Sequence, residues 1–275
     1  MQFTKATKRQ SKARIVITGP TGSGKTYSAL SVAAALGKKI AVIDTEQGSA
    51  SLYSDQFDFD VLELANDYHP QRYVEAIKAA ASAGYDVCVI DSITHEWNGK
   101  GGVLEIAGGK FTNWKDARPA HESFVQCIVG MRTKMHIIAT ARSAMEYIQE
   151  KDANGRQVVN KVGMEAKTDK DMTYEFDVQG EMDHQHNMYI GKTRCSALDQ
   201  QTFYKPGKDL AAILLTWLEV QPYDPQPARM AIAALADATD LDKAQAEQLT
   251  DREELAALYR AIVARNKQAT SEKAS

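Results

Sequence analysis

The chain has 275 residues, 44% of them hydrophobic and 25% charged, with a formal net charge of −3. That balance excludes a disordered polyelectrolyte and a protein basic overall, while leaving room for a local nucleic-acid-binding patch. Cys88, Cys127 and Cys195 are far apart and form no CxxC pair, no run nears the ~20 apolar residues of a membrane span, and no secretory signal is visible, so a cytoplasmic protein without disulfides, zinc or membrane contact is expected.

Residues 1–13 read as a polar leader. Lys5, Lys8, Arg9 and Lys12 carry positive charge there with no acid among them. Such a segment is either solvated or an arm for nucleic acid or a neighbouring subunit. From Arg14 the pattern changes. Arg14-Ile15-Val16-Ile17-Thr18 predicts a buried strand, and Tyr27 to Leu36 predicts a helix closed by Gly37. Between them lies Gly19-Pro20-Thr21-Gly22-Ser23-Gly24-Lys25-Thr26, a complete G-x-x-x-x-G-K-[ST] loop in the strand–loop–helix setting that the motif requires. Glycines let successive backbone N–H groups face phosphates, and the helix N-terminus adds its dipole. Lys25 is expected to reach the β- and γ-phosphates, and the Thr26 hydroxyl to ligate Mg²⁺. The loop therefore predicts ATP and Mg²⁺ as cofactors.

A second apolar strand, Ile40 to Asp44, ends in Asp44-Thr45-Glu46-Gln47-Gly48. Polar residues at the ends of parallel strands line the ligand crevice, which makes Glu46 a candidate for activating the attacking water. A helix is predicted from Pro70 to Ala83, closed by Gly84. Tyr85 to Ser92 then reads as a strand ending in Asp91, the Walker B pattern, and Asp91 is assigned to the metal with Thr26. The stretch Ile93 to Lys115 is rich in glycine and reads as a long functional loop carrying Lys100, Lys110, Lys115, Trp97, Phe111 and Trp114.

A helix from about Pro119 to Met131 and a strand from Met135 to Arg142 follow. Met145 to Glu150 and Arg156 to Lys161 flank Asp152-Ala153-Asn154-Gly155, a hairpin signal. A polar segment runs from Val162 to Asp171. Strands are predicted over Tyr174 to Met182 and Asn187 to Ile190, joined by Asp183-His184-Gln185-His186. With no third or fourth ligand in view, those histidines read as an exposed turn rather than a metal site. Gly191-Lys192-Thr193-Arg194-Cys195 places Lys192 and Arg194 just after a strand, far from the P-loop in sequence. They suit either a solvated turn or fingers inserted into a neighbour's site. A helix from Leu210 to Glu219 closes the core. Pro222, Pro225 and Pro227 mark a linker before an alanine-rich helical appendage. The expected organisation is thus a leader over 1–13, a core over 14–220, and a linker with helical appendage over 221–275.

The chain resembles the RecA-like ATPases over about Arg14 to Glu219. The likeness rests on GPTGSGKT, on IDTEQGSASLY, on VCVIDS and on IGKTR. It implies an α/β fold: a RecA-like P-loop NTPase core with a mostly parallel sheet flanked by helices, plus the hairpin region and the C-terminal helices. It implies that Glu46 activates water, that Tyr53 stacks on adenine, and that Lys192 and Arg194 act in trans within a homo-oligomeric ring or filament. Thr140-Ala141-Arg142 falls where RecA carries Asn-Gln as its γ-phosphate sensor, so Thr140 and Arg142 are the candidates for that contact. The chain is more closely similar to the short phage-type RecA-like proteins that act as single-strand annealing recombinases. That likeness implies a phage-encoded ATPase that binds single-stranded DNA, anneals complementary strands, and works beside a single-stranded-DNA-binding protein in the host cytoplasm. The implied DNA contacts are the loop Trp97 to Trp114 and the segment Ser143 to Asp171, with Tyr147, Arg156, Lys161, Lys167 and Lys170. A replication motor or helicase loader is the alternative.

Overall fold

The computed structural model describes residues 11–109, 111–151, 157–169, 171–218, 226–235, 238–249 and 252–272. Contacts divide the chain into one unit ending at Glu219 and a second beginning at Val220. In the first unit, apolar five- and six-residue runs that are buried throughout form the central strands β1 (Arg14–Gly19), β2 (Ile40–Asp44) and β4 (Val87–Asp91). Runs apolar on both faces need cover on both faces, and parallel α/β sheets supply it. The cover includes α1 (Lys25–Leu36), α2 (Pro70–Ser82) and α5 (Trp114–Gly130).

The sheet runs β3-β2-β4-β5-β1-β7-β8-β9, where β3 is Asp60–Glu63, β5 His136–Lys151, β7 Val178–Met182, β8 Asn187–Thr193 and β9 Thr202–Tyr204. The strands from β3 through β7 pair in parallel; β8 and β9 add antiparallel. Beyond Arg142, β5 leaves the parallel sheet and pairs antiparallel with β6 (Gln157–Ala166). The predicted hairpin is therefore formed, although its turn, residues 152–156 with Asn154 and Gly155, lies outside the described residues. Strand β3 was not expected. All four of its residues are exposed, so it carries no buried apolar signal.

One expectation is overturned. The stretch Ile93 to Lys115 is not a long loop. It folds into α3 (Thr94–Asn98), α4 (Val103–Ala107), a 3₁₀ turn and the start of α5. Trp97 packs on Trp114 at a ring separation of 6.1 Å and edge-on to His121 at 5.3 Å, beside buried Val103, Ala107 and Ala117. This apolar contact extends α5 back to Trp114 and leaves Pro119 inside the helix, where a start had been read. Lys110 lies outside the described residues.

The second unit is a three-helix cluster, α7 (Gln226–Ala233), α8 (Asp240–Gln248) and α9 (Arg252–Glu272). Ile232, Ala246, Leu255 and Ile262 form its core. A capping box between Thr239 and Asp242 starts α8. Among the described residues, no helix is long and apolar enough to cross a membrane.

At the base of the sheet, His136 is 1% exposed and its Nδ1 accepts the Ala13 N–H at 2.9 Å. Burial, with Lys12 adding to it, pushes its imidazole from 6.5 down to about 3. The unfolded chain therefore binds the proton more readily. Stability conferred by the neutral ring is present above about 6.5 and is lost as pH falls toward 3, at up to ~1.4 kcal/mol per pH unit. Urea unfolding of His136→Gln should show a smaller stability loss between pH 7 and pH 5 than the wild type. Equal losses would rule His136 out as the source.

Candidate nucleotide site

The parallel register sets the ends of four adjacent strands side by side. Asp44 lies opposite Asp91, and Gly19 opposite Arg142. Every polar residue that follows those strands is thereby delivered to one crevice at the C-terminal edge of the sheet.

Gly19 to Thr26 wraps the N-terminus of α1. Gly24 holds φ 91, in the left-handed region, and a Cβ at Gly19 would stand 2.7 Å from Ser23 Oγ and 2.8 Å from the Met182 carbonyl. Both positions therefore require glycine. Lys25 Nζ donates to the Pro20 carbonyl at 2.8 Å. Burial lowers its pKa, while Asp91 and Glu46 act to raise it. Thr21 and Gly22 are exposed, and Ser23 Oγ is buried without a partner among the described residues. A glycine-bent loop at a helix N-terminus, a lysine parked on its own backbone and an orphaned hydroxyl fit a bound phosphate chain.

Asp91 is 2% exposed. Its carboxylate accepts hydrogen bonds from Thr26 Oγ1 at 2.7 Å and from Thr140 Oγ1. Burial pushes its pKa up, and the two hydroxyls pull against that shift. Thr26 and Asp91 are oxygen donors already in contact, the pair that would hold Mg²⁺. Thr140 is fully buried and its hydroxyl is spent on Asp91. In this structure it therefore braces the carboxylate of Asp91.

Asp44 has a role that the sequence did not suggest. Its carboxylate accepts Glu46 N–H at 2.6 Å and Ala50 N–H at 3.0 Å, closing the turn after β2 around Gln47 (φ 56) and Gly48 (φ 81). Thr45 ties that turn to the end of β4 through Ser92 and to His95 Nδ1 at 2.8 Å. Glu46 is thus aimed across the crevice. Ser92 Oγ donates to it at 3.1 Å, and Arg142 grips it with two nitrogens, Nε at 3.0 Å and Nη2 closer still. Burial pushes the Glu46 carboxyl up, but hydrogen bonds and charge from Arg142, then His95 and Ser92, hold it below its ordinary value. It is a carboxylate at neutral pH.

Beside the P-loop, a cavity of about 420 Å³ is lined by Gly24, Thr26, Tyr27, Tyr53, His186 and Lys205 among others. Tyr53 is half-buried there, edge-on to Tyr27 at 5.9 Å. His186 is not simply an exposed turn residue: its Nδ1 lies 2.9 Å from the Ser23 carbonyl, across 163 positions of sequence. No local signal marks His186 or Lys205 as part of this site.

Lys192 and Arg194 are not in this crevice. Lys192 donates to the carbonyls of Tyr174 and Phe176, and Arg194 donates to Asp177 at 3.2 Å. Asp177 is fully buried, also accepts two bonds from Arg132, and lies 4.0 Å from the buried Arg14. This cluster is level with Arg14, at the opposite end of β1 from Gly19, roughly 16 Å away at ~3.3 Å per strand residue.

The family model of the AAA domain matches residues 11–204, from just before β1 through β9. No curated protein matches the chain.

The geometry around Glu46 yields a spectroscopic expectation. Arg142→Gln removes the guanidinium but leaves the burial. In carboxyl-carbon NMR titrations, the Glu46 midpoint should then move up from its wild-type position below the ordinary carboxyl value. An unchanged midpoint would show that Arg142 does not set its ionisation.

Proposed function

Because the chain belongs to the AAA domain family of P-loop ATPases, we propose that it binds ATP with Mg²⁺, hydrolyses it with Glu46 as the water-activating base, and couples turnover to single-stranded DNA in strand annealing and recombination. The observation that carries the hydrolytic part is the convergence of Lys25, Thr26, Asp91, Glu46 and Arg142 on one crevice, although they come from four separate segments. A protein that only binds nucleotide needs no ionised, oriented carboxylate beside its metal pair.

Each residue has a defined task. Lys25 exchanges the Pro20 carbonyl for phosphate oxygens. Thr26 and Asp91 would hold the metal, and Thr140 fixes Asp91. Bound Mg²⁺ would neutralise charge on the β- and γ-phosphates. Glu46, ionised and fixed by Ser92, takes the water's proton. Arg142 restrains Glu46 at rest and is the cation nearest to it for charge that develops on a γ-phosphate.

Support for a DNA-linked role comes from the resemblance and from one surface. Trp114, which packs on Trp97, also lines a cleft of about 690 Å³ with Thr112, Lys115 and Arg118. An aromatic face beside two cations suits base stacking with phosphate contacts. The β5–β6 hairpin continues directly from Arg142, so movement at Glu46 would be felt at its root. Side chains at Tyr147 and Lys161 are not described, and Arg156 and Lys170 lie outside the described residues.

Turnover assays test this reading. Lys25→Ala should abolish ATP binding. Glu46→Gln should keep it while lowering turnover by ~100-fold or more, as expected for a general base. Single-stranded DNA should stimulate the wild type, and Trp114→Leu should lose that stimulation. Normal hydrolysis by Glu46→Gln would remove the catalytic assignment; a wild type indifferent to DNA would remove the DNA link.

The Lys192–Arg194 cluster cannot reach its own P-loop, so a catalytic role requires head-to-tail packing of one sheet's base on the next chain's crevice. Arg194→Ala alone should then turn over slowly, and adding the Lys25→Ala protein should restore activity. Absence of rescue at any mixing ratio would leave Arg194 as a structural partner of Asp177.

A further inference from the structure

The cavity beside the P-loop has an outer wall that the phosphate-binding motif does not account for. Two turns build it. His186 ends the β7–β8 turn, and Lys205 follows β9. Both are non-glycine residues in the left-handed region, at φ 66 and 47. The Lys205 N–H donates to the His186 carbonyl at 2.8 Å, which locks the two turns into one unit. That unit touches the P-loop directly. A carbonyl only accepts, so His186 Nδ1–H donates to Ser23 O, and Nε2 remains as the ring's second polar edge. The fit at Gly24 is close: a Cβ there would stand 3.0 Å from His186 Nδ1. Left-handed non-glycine residues are uncommon, and clustering them at a ligand cavity indicates that the position of the side chain is worth the backbone cost.

We propose that His186 and Lys205 form the outer wall of the nucleotide site. Lys205 contacts the nucleotide's phosphates as a cation in the cavity that Tyr53 also lines, and His186 is a positioning residue that fixes the Ser23–Gly24 peptide for phosphate binding. The inference rests on the nucleotide reading above and adds residues that the P-loop motif lacks. Lys205 is exposed, and its ammonium lies 5.3 Å from the Tyr204 ring centroid, a weak contact that it can leave at little cost. The Ser23–Gly24 peptide, which the His186 contact holds, belongs to the loop that a phosphate chain must meet. Ser23 Oγ, buried and unpartnered, sits on the same segment.

The test is calorimetric titration of ATP with Mg²⁺ into wild type, His186→Gly, Lys205→Gly, Lys205→Arg and Lys25→Ala. Glycine accepts the left-handed backbone at both positions, so these variants remove side chains without imposing strain. Lys205→Gly should weaken binding about tenfold, the value of one charge-assisted contact, and Lys205→Arg should restore it to within about threefold. His186→Gly should weaken binding about tenfold and speed hydrogen exchange at the Ser23 and Gly24 amides. Wild-type affinity in both glycine variants, with Lys25→Ala unable to bind, would overturn the wall and leave the nucleotide reading intact. Failure of arginine to restore Lys205→Gly would overturn the phosphate contact. A wild type that binds no ATP would overturn both readings.

Discussion

A buried carboxylate held between two hydroxyls is the constraint on which the site depends. Asp91 is removed from water at the end of β4, where an unpaired charge would be costly. Thr26 from α1 and Thr140 from β5 supply the hydrogen bonds that make its burial tolerable. Those bonds fix three elements relative to one another: the P-loop helix, the Walker B strand and the strand that carries Arg142. Losing either hydroxyl would leave a charge under-solvated and would release an element of the site with it. Stability and function are therefore coupled at one side chain.

The second carboxylate is arranged on an opposite principle. Glu46 is only partly buried, and it is kept ionised chiefly by the Arg142 guanidinium, with the Ser92 hydroxyl adding to it. Its backbone is fixed by Asp44, which spends its own carboxylate on two amides of the turn. One acid shapes the loop, and in the proposed reading one would hold the metal with Thr26 and one would face the attacking water. Burial pushes the ionisation of Asp91 up while Arg142 holds that of Glu46 down, which is how neighbouring carboxylates acquire different tasks.

The parts of this arrangement legible in the sequence were those written in local pattern. Gly19 to Thr26 carries its own geometry in its glycines, and the runs Ile40 to Asp44 and Val87 to Asp91 declare buried parallel strands by being apolar throughout. The Asn154-Gly155 signal indicated a hairpin whose strands are formed. Contacts that depend on tertiary placement were not legible. Arg142 meets Glu46 across 96 positions and His186 meets Ser23 across 163, and neither pairing has a sequence period. Glycines between Ile93 and Lys115 suggested a loop, but Trp97, Trp114 and His121 bury enough surface against one another to fold it into helices. Strand β3 escaped notice because an exposed edge strand lacks the alternation that would reveal it. The K-x-R segment was readable as basic and as remote from the P-loop, but its partner Asp177 was not.

The central claim is that Lys25, Asp91, Glu46 and Arg142 form one hydrolytic site around ATP and Mg²⁺. A crystal structure with a non-hydrolysable ATP analogue and Mg²⁺ tests it most directly. The account predicts phosphates cradled by Gly19 to Thr26, Lys25 moved from the Pro20 carbonyl onto them, the metal beside Thr26 and Asp91, and Glu46 within reach of an in-line water. An analogue bound elsewhere, or a Glu46 turned away from the γ-phosphate with Arg142 still closed on it, would contradict the account.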